Sequence, residues 1–165
     1  MIDLSKYIEN EPSDSSRSVF YNLLKTYIAT PSQENFANIM LSGWIVLESY
    51  TNQLFLEEYG IEPFLQEGED QQKREALINT LEEVDFEKKC QLLKQNKVIN
   101  LDQYKAIHNF QYERNRLFHA SQKNEVFKKL KMGKEQERLI ETSRQAFDAI
   151  YEAVAWYYDS YVGQF

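Results

Sequence analysis

The chain is poor in the residues that staple and punctuate proteins. Its one cysteine, Cys90, excludes a disulfide framework and any multi-cysteine zinc site. Five glycines and three prolines stand where average usage over this length gives about 12 and about 8. A β-sandwich or barrel needs turn residues every ten positions or so, and they are missing. Long hydrophobic runs are missing too. The most apolar stretch, Ile39 to Leu56, is interrupted by Ser42, Gly43, Glu48, Ser49, Thr51, Asn52 and Gln53. It falls short of the roughly 18 apolar residues of a membrane span. The opening MIDLSKYIENEP carries acids where a secretory signal needs a basic end and an apolar stretch. The expectation is a cytoplasmic protein without membrane association. The glycines at 43, 60, 68, 133 and 163 are solitary, so no phosphate-cradling loop is present, and no HExxH occurs.

What is there is apolar and ring-rich: 42% hydrophobic residues, with 11 Tyr, 10 Phe and 2 Trp. That supports one core and a single domain over 1–165. The net charge of −7 is unevenly spread. Residues 1–104 hold 9 bases against 18 acids, whereas 105–131 hold seven bases (Lys105, Arg114, Arg116, Lys123, Lys128, Lys129, Lys131) against two acids. A basic stretch on an acidic body is compatible with a polyanion site, although most charge runs are solvated helix faces.

Helical periodicity runs through the chain. Val19, Phe20, Leu23, Leu24, Tyr27 and Ile28 give an amphipathic helix over 15–29, within an N-terminal helical extension of 1–30. Thr30-Pro31-Ser32-Gln33 reads as a helix start, with Thr30 as cap, Pro31 at the first position and Gln33 closing a capping box. The long helix that follows carries Phe36, Ile39, Met40, Gly43, Leu47, Tyr50 and Leu54 on one stripe and ends near Tyr59, with Gly60 as cap. Gly43 inside it predicts a close helix crossing. Residues 60–72 form an acidic loop, followed by helices at 73–83 and 85–95. Asn100 and Gln103 make a capping box for a helix running to His119, with Leu101, Tyr104, Ile107 and Gln111 inward. A basic connection, 120–134, precedes a last helix over 135–161. The fold class is all-α: a bundle of four to five main helices, two long and antiparallel, the rest shorter.

Chemistry narrows to few residues. His108 and His119 lie eleven residues apart, three turns on one helix, which places them on one face but about 16 Å apart along the axis. They cannot share a metal, and no metal site and no cofactor are expected. Glu48 alone interrupts an otherwise apolar stripe, either as a paired surface acid or as a group orienting a base. The remaining candidate is YERNRLFHA, 112–120. Asn115 and His119 stack on one helical face, and the long Arg114 side chain can reach the same groove. A guanidinium suits phosphate, and His titrates near neutral pH. RNA cleavage without a metal needs a base for the ribose 2′-OH, a cation for the phosphorane and an acid for the leaving 5′-oxygen. By residue type alone, a helix end with a solvated Arg and a partly buried His is the more ordinary reading.

Arg114-Asn115 followed by His119 resembles the Arg-x4–6-His signature of HEPN domains, whose Arg is commonly followed by a polar residue. The long early helix with Glu48, the FEKKCQLLKQNKVI stretch, the helix into RNRLFHA and an alanine-bearing closing helix resemble the family's order of elements over 33–160. The resemblance implies a bundle of four or five helices acting as a homodimer. It implies a metal-independent RNA endonuclease that leaves a 2′,3′-cyclic phosphate, as a toxin or phage-defence effector with an antitoxin or nucleotidyltransferase partner. Arg114 and His119 would be catalytic, with Asn115, Arg116 and Glu48 supporting and Lys123 and Lys128 contacting phosphates. A second reading is a non-catalytic HEPN nucleotide-binding or protein-interaction module. Ser121 stands where some HEPN toxins carry a Tyr that the partner modifies. A single useful histidine per chain independently favours a two-fold dimer apposing two motifs, with Phe110, Tyr112, Leu117 and Phe118 as apolar contacts.

Overall fold

The helical periods form five helices in a computed structural model that describes residues 15–59, 75–76, 79–81, 83–121 and 134–161, with backbone only at 15–18, 118–121 and 161. They are α1 (Ser15–Ala29), α2 (Gln33–Tyr59), α3 (Phe86–Gln95), α4 (Leu101–Ser121) and α5 (Lys134–Tyr161). Residues 75–76 and 79–81 are also helical, and no strand occurs among the described residues. The expected Gly60 cap, the acidic loop and residues 122–133 of the basic connection lie outside the described residues, as do residues 1–14 of the N-terminal extension. No described helix is long and apolar enough to cross a membrane.

The turn between α1 and α2 differs from the expected start. Ser32, not Thr30, caps α2: its Oγ accepts the Asn35 N–H at 3.1 Å. Thr30 instead closes α1, its N–H donating to the Thr26 carbonyl at 2.9 Å. Asn35 reaches back to the Thr30 carbonyl at 2.8 Å and ties the two ends together. At α4 the expected box is present. Asn100 Oδ1 accepts the N–H groups of Asp102 and Gln103, and Gln103 Oε1 accepts the Asn100 N–H, all at 2.9 Å.

One core joins α1, α2, α4 and α5 through Phe20, Leu24, Phe36, Leu47, Phe110 and Phe147, all fully or almost fully buried. α2 and α5, the two longest helices, run parallel. Ser143 lies beside Gly43, the Tyr50 ring meets Tyr151 edge-on and Gln53 reaches Tyr158. α4 is the long antiparallel neighbour of α5, since Glu113 meets Arg138 and Arg116 meets Glu135. The expected close crossing is at Gly43, where an added Cβ would lie 2.5 Å from Ser143 Oγ and 3.5 Å from the Phe20 ring. Val19 and Leu101, read as inward, are instead 51% and 55% exposed. Leu101 is the first residue of α4, so no preceding turn of that helix covers it.

The short α3 covers the α2–α4 seam. Phe86 tilts against Trp44 with ring centres 4.8 Å apart, and Lys89 Nζ donates to Asn52 Oδ1 at 2.8 Å. Cys90 is buried here, and burial pushes its thiol up to about 12. At neutral pH it is an inert packing residue.

Candidate functional site

Arg114 lies half-buried on the inner side of α4, with its guanidinium turned toward α2. Its Cζ lies 4.5 Å from the centre of the Trp44 ring on α2, a cation–π contact, and Nη1 donates to Asn115 Oδ1 at 3.0 Å. The α-helical period places adjacent residues about 100° apart, so this bond requires the guanidinium to turn back along its own helix. Trp44 fixes that turn. Its ring is nearly buried, packed between Phe86 and Phe110 with centres at 4.8 and 6.3 Å. Arg114 and Asn115 therefore come together as expected. His119 follows Asn115 by four residues on the same continuous helix, one turn on and on the same face. The side chain of His119 is outside the described residues, as are Lys123 and Lys128 and the side chain of Ser121.

Arg116 is held elsewhere. Its Nε donates to Glu113 at 2.9 Å, and Nη2 reaches Glu135 on α5 at 3.4 Å. Glu113 also accepts from Arg138 at 2.9 Å. Two acids and two guanidiniums thus alternate across the α4–α5 seam. Partial burial pushes the Glu113 carboxyl up, but the bonds from Arg138 and Arg116 outweigh it and hold the group below its usual range. Burial likewise works against the Arg116 cation, and its bonds to Glu113 and Glu135 outweigh that and raise its pKa. Arg116 acts here as a clamp between helices, directed away from Trp44. Glu48 is half-buried on α2, one turn beyond Trp44 on the same face.

His108 belongs to a separate cluster at the α3–α4 seam. Its Nδ1 lies 3.0 Å from Glu87 Oε2, and the Tyr104 hydroxyl donates to Glu87 Oε1 at 2.6 Å. The Tyr104 ring stacks on the imidazole and carries Lys94 Nζ 4.0 Å above its centre. Partial burial raises the Glu87 carboxyl, but the bonds from Tyr104, His108 and Gln91 outweigh it and hold it low.

Of the rings and leucine flanking the motif, Phe110 and Leu117 are buried in the core and unavailable to a partner subunit. Tyr112 is 63% exposed, and the Phe118 side chain lies outside the described residues. Leu41 and Ile45 on α2, bracketing Trp44 in sequence, are exposed as well. The reading of the sequence missed Trp44. Its signal was an aromatic one residue off the α2 stripe, facing a neighbour that periodicity alone does not name.

Comparison with protein-family models, with curated proteins and with solved structures finds no match.

Proposed function

We propose that this chain is a metal-independent RNA endonuclease of HEPN type that acts as a homodimer, as a toxin or phage-defence effector. The observation that carries the reading is the Arg114 guanidinium, braced on Trp44 and bonded to Asn115, on the helix that bears His119 one turn further on. The cation–π contact with Trp44 holds the guanidinium in place, and the bond to Asn115 fixes its rotation. A pre-positioned guanidinium stabilises a pentacoordinate phosphorane without reorganising during the reaction.

In this mechanism one His119 removes the ribose 2′-OH proton and the 2′-oxygen attacks the adjacent phosphorus. The P–O5′ bond breaks as the other subunit's His119 gives its proton to the leaving oxygen. The product ends are a 2′,3′-cyclic phosphate and a 5′-hydroxyl. Two histidines are needed for one step, which is why the reading includes a two-fold dimer. Exposed Tyr112, two residues before Arg114, and exposed Leu41 and Ile45 beside Trp44 supply apolar surface for that contact.

The half-burial of Arg114 against Trp44 favours a second reading, a non-catalytic HEPN module in which the pair is a packing contact. Substrate chemistry separates the two. DNA lacks the attacking hydroxyl, so oligonucleotides with 2′-methoxy substitution at the cut site will bind and survive while the unmodified RNA is cut. Cleavage of single-stranded DNA at a comparable rate would overturn the mechanism, and an uncut RNA would leave the second reading.

A further inference from the structure

The turn between α3 and α4 and the outer face of α5 enclose a hollow of about 300 Å³ that the proposed cleavage does not use. That volume is at the lower end of those that hold small ligands. Lys97, Asn100, Gln103, Glu152 and Trp156 line it. Trp156 is 50% exposed, an unusual position for an indole, and Glu152 precedes it by one turn on the same face of α5. Lys97 holds a left-handed backbone, φ 62°, where the chain leaves α3.

The polar groups of this hollow have a defined sense. Asn100 Oδ1 and Gln103 Oε1 both accept backbone N–H groups in the α4 capping box. Only oxygens can accept, so each amide's NH₂ is the end left over. Neither NH₂ has a partner among the described residues, and neither does the Glu152 carboxylate or the Lys97 ammonium. The walls of the hollow therefore carry one half-exposed indole, two amides with NH₂ ends to donate, one carboxylate and one cation.

We infer that this hollow binds a guanine nucleotide carrying a single phosphate. Two hydrogen-bond donors side by side, N1–H and the 2-amino group, are what a carboxylate accepts with both oxygens, and guanine alone among the bases presents them. Adenine would place the N1 lone pair against Glu152, uracil flanks its one donor with two carbonyls, and cytosine sets N3 beside its amino group. Guanine O6 and N7 are acceptors for the amide NH₂ groups. The base stacks on Trp156, and Lys97 meets the phosphate. A single ammonium, with the Glu152 carboxylate engaged by the base, fits one phosphate better than three. The nucleotide is either free or part of an RNA strand. The inference does not rest on cleavage, because the hollow shares no residue with the Arg114 site.

Titration calorimetry tests it on the full chain bearing His119→Ala, which prevents any cutting of RNA from confusing the result. The probes are GMP, AMP and RNA hexamers with or without a central guanosine. GMP will bind about fivefold or more tighter than AMP, the discrimination expected of one bidentate base contact. Glu152→Gln will erase that preference, because a carboxamide offers only one acceptor, and Trp156→Ala will weaken all bases. GMP binding as tightly as the guanosine hexamer assigns a free nucleotide; a much tighter hexamer whose preference for guanosine is lost in Glu152→Gln assigns a strand. Absence of GMP binding together with hexamers that bind alike with and without guanosine, or a GMP preference that survives Glu152→Gln, would overturn the site.

Discussion

At the scale of residues, the α4–α5 seam turns on Glu113, which accepts from Arg116 and Arg138 together. Its carboxyl is held below its ordinary value of 4.5, so it binds fewer protons folded than unfolded near that pH. The stabilisation is therefore complete above the ordinary value and lost as pH falls through the folded one. Glu113→Gln will lower stability at pH 7 by about 1 kcal/mol, since both arginines are partly solvated. Urea unfolding at pH 7 and at about pH 3 checks this, with the gap between variant and wild type shrinking in acid. An undiminished gap in acid would mean that Glu113 acts by packing. Spacing alone permits half of this network, because Glu113 and Arg116 are three apart on one helix, but the resemblance assigns Arg116 to the site instead. Glu135 and Arg138 were not legible, since spacing within a helix says nothing about which helix faces it. The same limit hid Trp44 beneath Arg114.

At the scale of elements, periodicity located all five helices, and the errors fell at their ends. Thr30 and Ser32 are both capping residues, and the choice is made by which hydroxyl meets an N–H three residues on. Ser32 meets Asn35, while Thr30 is already committed to the end of α1. Gly43 was legible for the opposite reason: glycine within a long apolar stripe is costly unless a neighbour needs the space. That neighbour is Ser143, whose buried hydroxyl has no hydrogen-bond partner among the described residues. Gly43→Ala gains about 1 kcal/mol of helix propensity but drives Cβ into Ser143 Oγ, an overpacking cost of about 1–3 kcal/mol. The single variant will be less stable than wild type by about 1 kcal/mol. Adding Ser143→Ala, which removes the clashing atom and an unsatisfied hydroxyl, will recover at least that loss. Thermal melts of the four proteins of the cycle report the coupling, and additive effects would place the close approach elsewhere.

At the scale of the whole molecule, the all-α bundle followed from scarce glycine and proline and from long amphipathic stretches. The relative directions of the helices did not, because loop lengths leave open whether α2 and α5 are parallel. In this bundle α3 seals Trp44 from one side, α5 clamps Arg116 from the other, and Arg114 alone of the two arginines is braced beside Asn115. That division of labour between neighbouring arginines is the structural basis of the proposed activity. Its most direct test is cleavage of mixed RNAs in EDTA by wild type and by His119→Ala, with product ends identified. The account predicts cutting by wild type to 2′,3′-cyclic phosphate ends, and a loss of about 100-fold or more in the variant with helicity unchanged. Equal rates for the two proteins, or no cutting by wild type, would contradict it.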